Sequence, residues 1–158
     1  MKTVLYLASF FGRSVPRGVP RYSVARWQPR ERAPLPELPF LAPEQTGGLP
    51  PRKYLDCYAQ TLCLRAPEVA AWLEGLSPEH DLALLCWCCP ERQHKHSSAR
   101  GLLCHTIPVG WLVEELRPDV RVVYLDGRDR PVWSAGERKV FLGRVVPALR
   151  AFARVVTA

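Results

Sequence analysis

The chain has 158 residues, of which 47% are hydrophobic and 23% charged, and this size and composition predict one folded domain over residues 1–158. The formal net charge of +7 favours partners that carry negative charge, such as nucleic acid or a phosphate-bearing small molecule. The apolar stretch 4–11 is too short to cross a bilayer and lacks the cleavage site of a secretion signal. We therefore expect a cytoplasmic protein with no membrane partner, whose six cysteines are thiols or metal ligands rather than disulfides.

The first third of the chain is predicted to form two strands and a long proline-rich loop. Apolar and β-branched residues favour a strand over residues 2–10 and a second, shorter one over residues 22–25. Residues 26–51 are too rich in proline for a regular helix or a central strand, since proline removes backbone donors and fixes φ. This stretch also contains several large apolar residues: Trp27, Leu35, Leu38, Phe40 and Leu41. We predict an ordered loop that wraps one face of the domain, rather than a floppy excursion.

Two helices are predicted next. A stripe of apolar side chains at helical spacing predicts a first helix over residues 52–64. Cys57 and Cys63 lie on this helix without being aligned along its axis, which is typical of small packing residues. Pro67 occupies a first-turn position of the second helix, whose apolar residues recur at helical spacing until Ser77.

The second half of the chain continues the alternation of strands and helices. A strand is predicted over residues 81–86, a helix over residues 106–116 and a further strand over residues 120–125. Strands that alternate with helices predict a parallel sheet covered on its faces. The expected fold class is therefore α/β, a three-layer Rossmann-like sandwich with a mostly parallel sheet and the proline-rich wrapping loop.

A last helix is predicted to begin with a capping box, in which Ser134 and Glu137 satisfy the free backbone donors of the first turn. Five apolar residues are predicted to share one face of this helix: Leu142, Val145, Leu149, Phe152 and Val156. Pro147 lies inside the pattern, and a kink or a break is therefore expected there.

Three cysteines lie at the end of the third strand and a Cys-His pair precedes the third helix, at the edge of an α/β sheet where ligands gather. Cys86 and Cys88 alternate and therefore point the same way, and Cys104 returns across the intervening loop. Three histidines are available as a fourth ligand: His94, His96 and His105. Zinc or iron accepts such a set. The spacing lacks the paired Cys-x-x-Cys of a structural zinc site, so cysteines that only pack are an alternative.

A reactive thiol is a further interpretation of the same residues. Cys104 lies at the amino end of the third predicted helix, where free N–H groups and the helix dipole favour a thiolate, and His105 is next to it. Cys104 and His105 are thus the candidate catalytic residues, with Cys88 or Cys89 as a resolving thiol.

A phosphate-bearing ligand is the third interpretation, although the classical glycine-rich nucleotide loops are absent. Gly12 and Arg13 follow the first strand, and a glycine loop with arginine at a strand's exit can hold an anion. Arg26 and Trp27 follow the second strand, and an exposed indole can stack on a base. These four residues, together with Trp87, are the candidate ligand-binding residues.

An ordered series of segments carries a resemblance to a known family. They are Tyr6, residues 9–12, 22–26 and 41–43, Tyr54, Tyr58, residues 84–86, Cys104 with His105, and Trp111 with Leu112. In this series the chain resembles the bacterial, archaeal and phage family called domain of unknown function 488, over nearly its whole length up to the fourth strand. The resemblance implies a small cytosolic Rossmann-like domain whose hallmark is a Cys-His-Arg motif opening a helix. It implies no settled activity.

The chain departs from that family pattern in two places. Thr106 stands where the family has its arginine, which puts an anion-binding role of that position in doubt. The loop 90–103 is longer than usual and carries basic residues. Two interpretations stay open: the insertion replaces the lost positive charge, or it is merely tolerated.

The leading hypothesis is a protein that binds or acts on a nucleotide or nucleic-acid-derived ligand at the Cys/His site. A non-enzymatic metal-binding or thiol redox module is the first alternative. The second is a basic protein that contacts nucleic acid and whose cysteines are structural.

Overall fold

The computed structural model describes residues 2–12, 15–44, 48–88 and 101–152. Its four strands are β1 (Thr3–Ser9), β2 (Arg21–Ser23), β3 (Leu82–Cys86) and β4 (Val120–Tyr124). Its four α-helices are α1 (Pro51–Leu64), α2 (Ala66–Glu74), α3 (Thr106–Leu116) and α4 (Ala135–Arg150), and a short 3-10 helix covers Pro39–Leu41. The strands form one sheet in the order β2-β3-β1-β4, and all three pairings are parallel.

The two faces of the sheet are covered in different ways. Leu5 and Leu7 of β1 point to one face and join a large core to which all four α-helices contribute. Ala8 and Phe10 point to the other face and join a smaller core. That second face is covered by apolar side chains from loops: Val15, Val19 and Leu35. The predicted α/β Rossmann-like sandwich is confirmed, with loops as the layer opposite the helices.

The described parts of the connections that follow β1 and β3 pack on opposite faces of the sheet. The connection from β1 to β2 runs over the loop-covered face, where Val15 and Val19 pack. The connection from β3 to β4 contains α3, which packs in the helix-side core. Ligands of open α/β sheets bind at the carboxyl ends of adjacent parallel strands whose connections diverge in this way. In this sheet that position is marked by Ser9 and Cys86, which are register partners.

The proline-rich loop is packed on the sheet and on α1. The backbone N–H of Leu38 donates to the Ser23 carbonyl at 2.9 Å, and Ser23 and Glu37 form an isolated parallel bridge. Leu41 is fully buried, and its carbonyl accepts a hydrogen bond from the Tyr58 hydroxyl at 2.7 Å. The loop therefore wraps the domain as predicted over its described residues.

The last helix differs from its prediction at its carboxyl end. The capping box of Ser134 and Glu137 is present as predicted. The expected break is not found, because α4 continues through Pro147 to Arg150. A proline so close to a helix end removes only one intrahelical hydrogen bond, and the packing of its neighbours retains the helical path.

The buried face of α4 is also displaced from the predicted one. Its buried residues are Phe141, Val145, Val146 and Leu149. Phe152 follows the end of the helix and is exposed, whereas Val156 lies outside the described residues. No helix among the described residues is long and apolar enough to cross a membrane.

Candidate functional site

Three cysteines meet at the carboxyl end of β3. Cys86 is the last residue of this strand, Cys88 follows two residues later, and Cys104 lies two residues before α3. Their three Sγ atoms all lie within 4.8 Å of one another, and the Sγ atoms of Cys86 and Cys104 are 3.1 Å apart. Cys86 and Cys104 are buried, whereas Cys88 is half-buried. We call these three residues the cysteine cluster.

The segment that returns to Cys104 is anchored to the loop after β4. The Leu102 N–H donates to the Arg130 carbonyl at 2.7 Å, and the Val132 N–H donates back to the Leu102 carbonyl at 3.1 Å. Gly101 has a φ of +122°, and a Cβ at this position would lie 2.4 Å from the Arg130 carbonyl oxygen. Glycine is therefore required where the two segments touch. This contact brings Cys104 back to the end of β3.

The same loop provides a buried arginine to the cysteine cluster. Arg128 is only 1% exposed, and its Nη2 atom lies 2.6 Å from the Cys86 Sγ and 3.6 Å from the Cys104 Sγ. Its guanidinium also donates to the Cys88 carbonyl at 2.9 Å and to the Thr106 hydroxyl at 2.8 Å. Within the described part of the chain, no carboxylate forms an ion pair with Arg128. Among the described residues, this buried cation therefore contacts sulfur atoms, a hydroxyl and carbonyls.

The thiols of the cluster have strongly unequal acidities. Burial alone would raise the pKa of Cys104, but hydrogen bonds with Cys86 and Cys88, the charge of Arg128 and a hydrogen bond with His105 together lower this pKa well below its usual value. Burial, followed by the hydrogen bond with Cys104, raises the pKa of Cys86 to about 12. Hydrogen bonds with Cys104 and Cys86, together with burial, raise the pKa of Cys88. Cys104 is therefore the most acidic thiol of the cluster.

His105 is fixed between the end of β2 and α1. Because a carbonyl only accepts, the His105 Nε2 donates to the Val24 carbonyl, at 2.8 Å. The ring packs edge-on against Tyr58 of α1, with 5.6 Å between ring centroids. The bond to Val24 occupies Nε2, so any metal-ligating or acid–base role of His105 must use Nδ1.

Gly12 lies beside a carboxylate. A Cβ at this position would lie 2.2 Å from an Asp126 carboxylate oxygen, and the same carboxylate accepts a hydrogen bond from the Ser9 N–H at 2.8 Å. Among the described residues, a carboxylate therefore lies against Gly12, and its negative charge opposes a bound anion. Its predicted partner Arg13 lies outside the described residues.

Arg26, Trp27 and Trp87 lie together at the same edge of the sheet. The Trp87 Nε1 donates to the Trp27 carbonyl, and the Arg26 guanidinium lies 5.5 Å from the centroid of the Trp27 ring. Trp87 also packs against Phe10 and Phe11, with centroid separations of 6.0 and 5.5 Å. The structure therefore forms two groups from the predicted site residues, one of sulfur atoms and one of aromatic rings and arginine.

Comparison of the chain with protein-family models, with curated proteins and with solved structures finds no significant match. The resemblance to domain of unknown function 488 therefore stays a prediction. Cys89, His94 and His96, which were candidate ligands or thiols, lie outside the described residues. Sequence reasoning missed Arg128. The available signal was the Asp-Gly turn at residues 126–127, which places the next residue at the carboxyl edge of the sheet.

Proposed function

We propose that the protein binds a thiophilic metal ion, with zinc as the best fit, through Cys86, Cys88 and Cys104. The observation that carries this proposal is the convergence of three sulfur atoms from two chain segments within 4.8 Å of one another. A Zn–S bond of about 2.3 Å in tetrahedral geometry places sulfur ligands roughly 3.8 Å apart. The cluster needs only small side-chain adjustments to reach that spacing.

The charge of Arg128 supports a set of thiolate ligands. Three thiolates and one divalent cation carry a net charge of −1, and a buried guanidinium in contact with two of the sulfurs balances it. A buried arginine without a negative partner would be strongly unfavourable. Metal binding also deprotonates coordinating thiols, and would do so at Cys86 and Cys88, whose pKa values are otherwise raised.

A reactive Cys104 is the second candidate function, and its lowered pKa favours it. The burial of Cys104 favours the metal instead, since its sulfur is covered by protein and only Cys88 of the cluster is partly exposed. A metal ion can reach the cluster past Cys88, whereas a large substrate would have to contact a completely covered atom. We therefore place the metal site first.

Titration of reduced, chelator-treated protein with Co²⁺ tests the proposal. Near-stoichiometric binding with the near-ultraviolet band of cobalt–thiolate coordination is expected, and Zn²⁺ should displace the cobalt. Cys88→Ser should lose most of the band and weaken binding by roughly a hundredfold. Cys57→Ser and Cys63→Ser on α1 are matched controls that should leave the band unchanged.

Two results would contradict the metal proposal. One is the absence of any thiolate band in folded protein whose thiols are all reduced. The other is equal loss of the band in the α1 controls, which would show that the ion is held elsewhere. Circular dichroism of the metal-free variants distinguishes lost binding from lost folding. If no metal binds but Cys104 reacts with a small alkylating probe far faster than Cys57 and Cys63, the reactive-thiol function takes its place.

A further inference from the structure

Trp27 is the most exposed tryptophan of the described chain. It is 70% exposed, whereas Trp111 and Trp133 are buried in the helix-side core. A large indole that faces solvent loses the free energy that burial would provide, and contiguous exposed apolar patches, rather than single residues, mark interaction surfaces. Its backbone carbonyl accepts the hydrogen bond of the Trp87 indole, so the Trp27 segment is tied to the end of β3.

Further aromatic rings lie at the carboxyl edge of the sheet, next to the Trp27 segment. Trp87 follows β3 and is 36% exposed, and its ring lies against Phe10 and Phe11, which follow β1. The Trp27 backbone is joined to this group through the Trp87 indole, so that three different segments meet at one edge of the parallel sheet. The result is an aromatic strip of Phe10, Phe11 and Trp87, part of which faces solvent, with Trp27 beside it.

Arginines flank this strip. The Arg26 guanidinium lies 5.5 Å from the centroid of the Trp27 ring, and the Arg32 guanidinium lies 5.2 Å from that of Phe11. We call Arg26, Trp27, Trp87, Phe11 and Arg32 the Trp27 surface. Arg26 and Arg32 also donate to backbone carbonyls, those of Glu44 and Phe10, which hold the guanidinium groups in place.

The segment that carries the Trp27 surface is strongly basic. Residues 15–32 contain five arginines (Arg17, Arg21, Arg26, Arg30 and Arg32) and one acidic residue, Glu31, so five positive charges minus one negative charge leave +4. None of the five arginines forms an ion pair with a carboxylate of the described residues. Their charge is thus available to an anionic partner.

We propose that the Trp27 surface binds single-stranded nucleic acid, with a base stacked on Trp27 and phosphates beside the arginines. Stacking on aromatic side chains within a basic strip is how proteins hold single strands without reading their sequence. Duplex DNA hides its base faces and would use only the charge. An acidic peptide would also use the charge, but it offers no planar ring to Trp27. This site is separate from the metal proposal, although Trp87 lies between two residues of the cysteine cluster.

Binding of a fluorescently labelled oligothymidylate to the full chain, followed by anisotropy at several salt concentrations, tests the inference. Trp27→Ala should weaken binding by about tenfold to a hundredfold, which is the usual loss of one base-stacking contact. The combined Arg26→Gln and Arg32→Gln variant should reduce the slope of log affinity against log salt by about 1.4, since each phosphate contact on a single strand contributes about 0.7. Because Trp27, Arg26 and Arg32 are exposed, these variants should retain the fold.

Matched controls come from the helix-covered side of the molecule. Phe152→Ala removes an aromatic ring that is 60% exposed, and Lys53→Gln removes an exposed cation of α1. Neither should change the affinity by more than about twofold. Cys88→Ser should also leave oligonucleotide binding unchanged, which separates this inference from the metal proposal.

The inference is overturned by any of three results. They are no measurable binding at low salt, unchanged affinity in Trp27→Ala, and equal binding of single strands and duplex with the same salt slope. The last two would show a surface that attracts polyanions by charge alone. An acidic peptide that matches the oligonucleotide in affinity and in sensitivity to Trp27→Ala would also contradict it.

Discussion

Two buried arginines of this protein differ in the groups that they contact. Arg117, just after α3, forms an ion pair with Asp119, with an Nη2–Oδ2 distance of 2.6 Å, and donates to the carbonyls of Leu73 and Leu76 at the end of α2. Arg128, at the carboxyl edge of the sheet, donates to sulfur atoms, a hydroxyl and carbonyls, and no described carboxylate pairs with it. Both side chains are almost completely buried.

The two arginines differ in whether the charge of their partners is fixed. The partners of Arg117 are fixed by the fold, since a cation favours the carboxyl end of a helix and a nearby carboxylate completes its charge balance. The anionic partners of Arg128 are thiols, whose charge depends on pH, on oxidation and on bound metal. The electrostatic environment of Arg128 therefore changes with the protonation, the oxidation and the metal binding of the cysteine cluster. We therefore expect Arg117 to control stability and Arg128 to control the chemistry of the cysteine cluster.

The largest effect on stability is expected from Arg117→Met. It leaves two buried carbonyls at the end of α2 without their donors, and each unsatisfied group costs about 1–3 kcal/mol. The free energy of unfolding should fall by about 3 kcal/mol, measured by urea denaturation of metal-free protein. Arg138→Met breaks the more exposed pair with Glu114 and should cost less than about 1 kcal/mol. Cobalt affinity should stay unchanged in both variants.

Arg128→Met should instead lower the affinity of the cysteine cluster for metal. Loss of a residue that orients and neutralises metal ligands typically weakens binding about tenfold to a hundredfold, equivalent to roughly 1.4–2.7 kcal/mol. Competition between the protein and a chromophoric chelator for zinc measures this change. Arg128→Lys should fall in between, because an ammonium keeps the charge but lacks the planar fork that reaches sulfur, hydroxyl and carbonyl together. Equal losses of zinc affinity in Arg117→Met and Arg128→Met would remove the distinction between the two arginines.

The smallest expected effect is on how the free energy of unfolding depends on pH. This dependence should differ between the cysteine cluster and the Arg117–Asp119 pair. A thiol whose pKa is lowered by folding stabilises the native state above its unfolded pKa, and this contribution is lost as pH falls through the folded pKa. For metal-free protein, the stability difference between wild type and Cys104→Ser should therefore grow as pH rises towards 9. Above pH 9 the raised pKa of Cys86 acts in the opposite direction, so the comparison belongs below that value.

Asp119 provides the matched comparison for that titration. The hydrogen bond and charge of Arg117 lower the pKa of Asp119 below its usual value of 3.8. Its contribution is therefore constant at neutral pH and is lost only as pH falls through the folded pKa, in strongly acid solution. Between pH 6 and 9, wild type and Asp119→Asn should differ by a constant amount. A flat difference for Cys104→Ser over the same range would show that Cys104 is not a thiolate in the metal-free fold.

Local pattern was sufficient to predict most secondary-structure elements of this chain. The third helix was predicted at its observed bounds, Thr106–Leu116, because two prolines and an apolar run define it without help from distant residues. The capping box of α4 was likewise readable from Ser134 and Glu137. Of the two outcomes predicted at Pro147, a kink or a break, the break was wrong. The continuity of a helix end depends on how its neighbours pack, which the sequence pattern does not contain.

The cysteine cluster was only partly predictable. The alternation of Cys86 and Cys88 and the return of Cys104 indicated three sulfurs at one edge, and the structure places them together. Arg128 was missed, since a lone arginine after a turn resembles any solvated residue. Its burial follows from the anchoring of the loop after β4 to Leu102, a contact between segments that are separate in sequence.

The sequence by itself determined the α/β class and the positions of most strands and helices. It also determined the edge of the sheet at which cysteine, histidine and arginine side chains collect. These features depend on the spacing of apolar residues and on turn residues, which act over short distances along the chain. Only the tertiary structure decided which charge meets the thiols, which aromatic rings face solvent and how each face of the sheet is covered. Those outcomes depend on burial and on contacts between distant segments. Parallel pairing of the strands brings such segments to the same edge of the sheet.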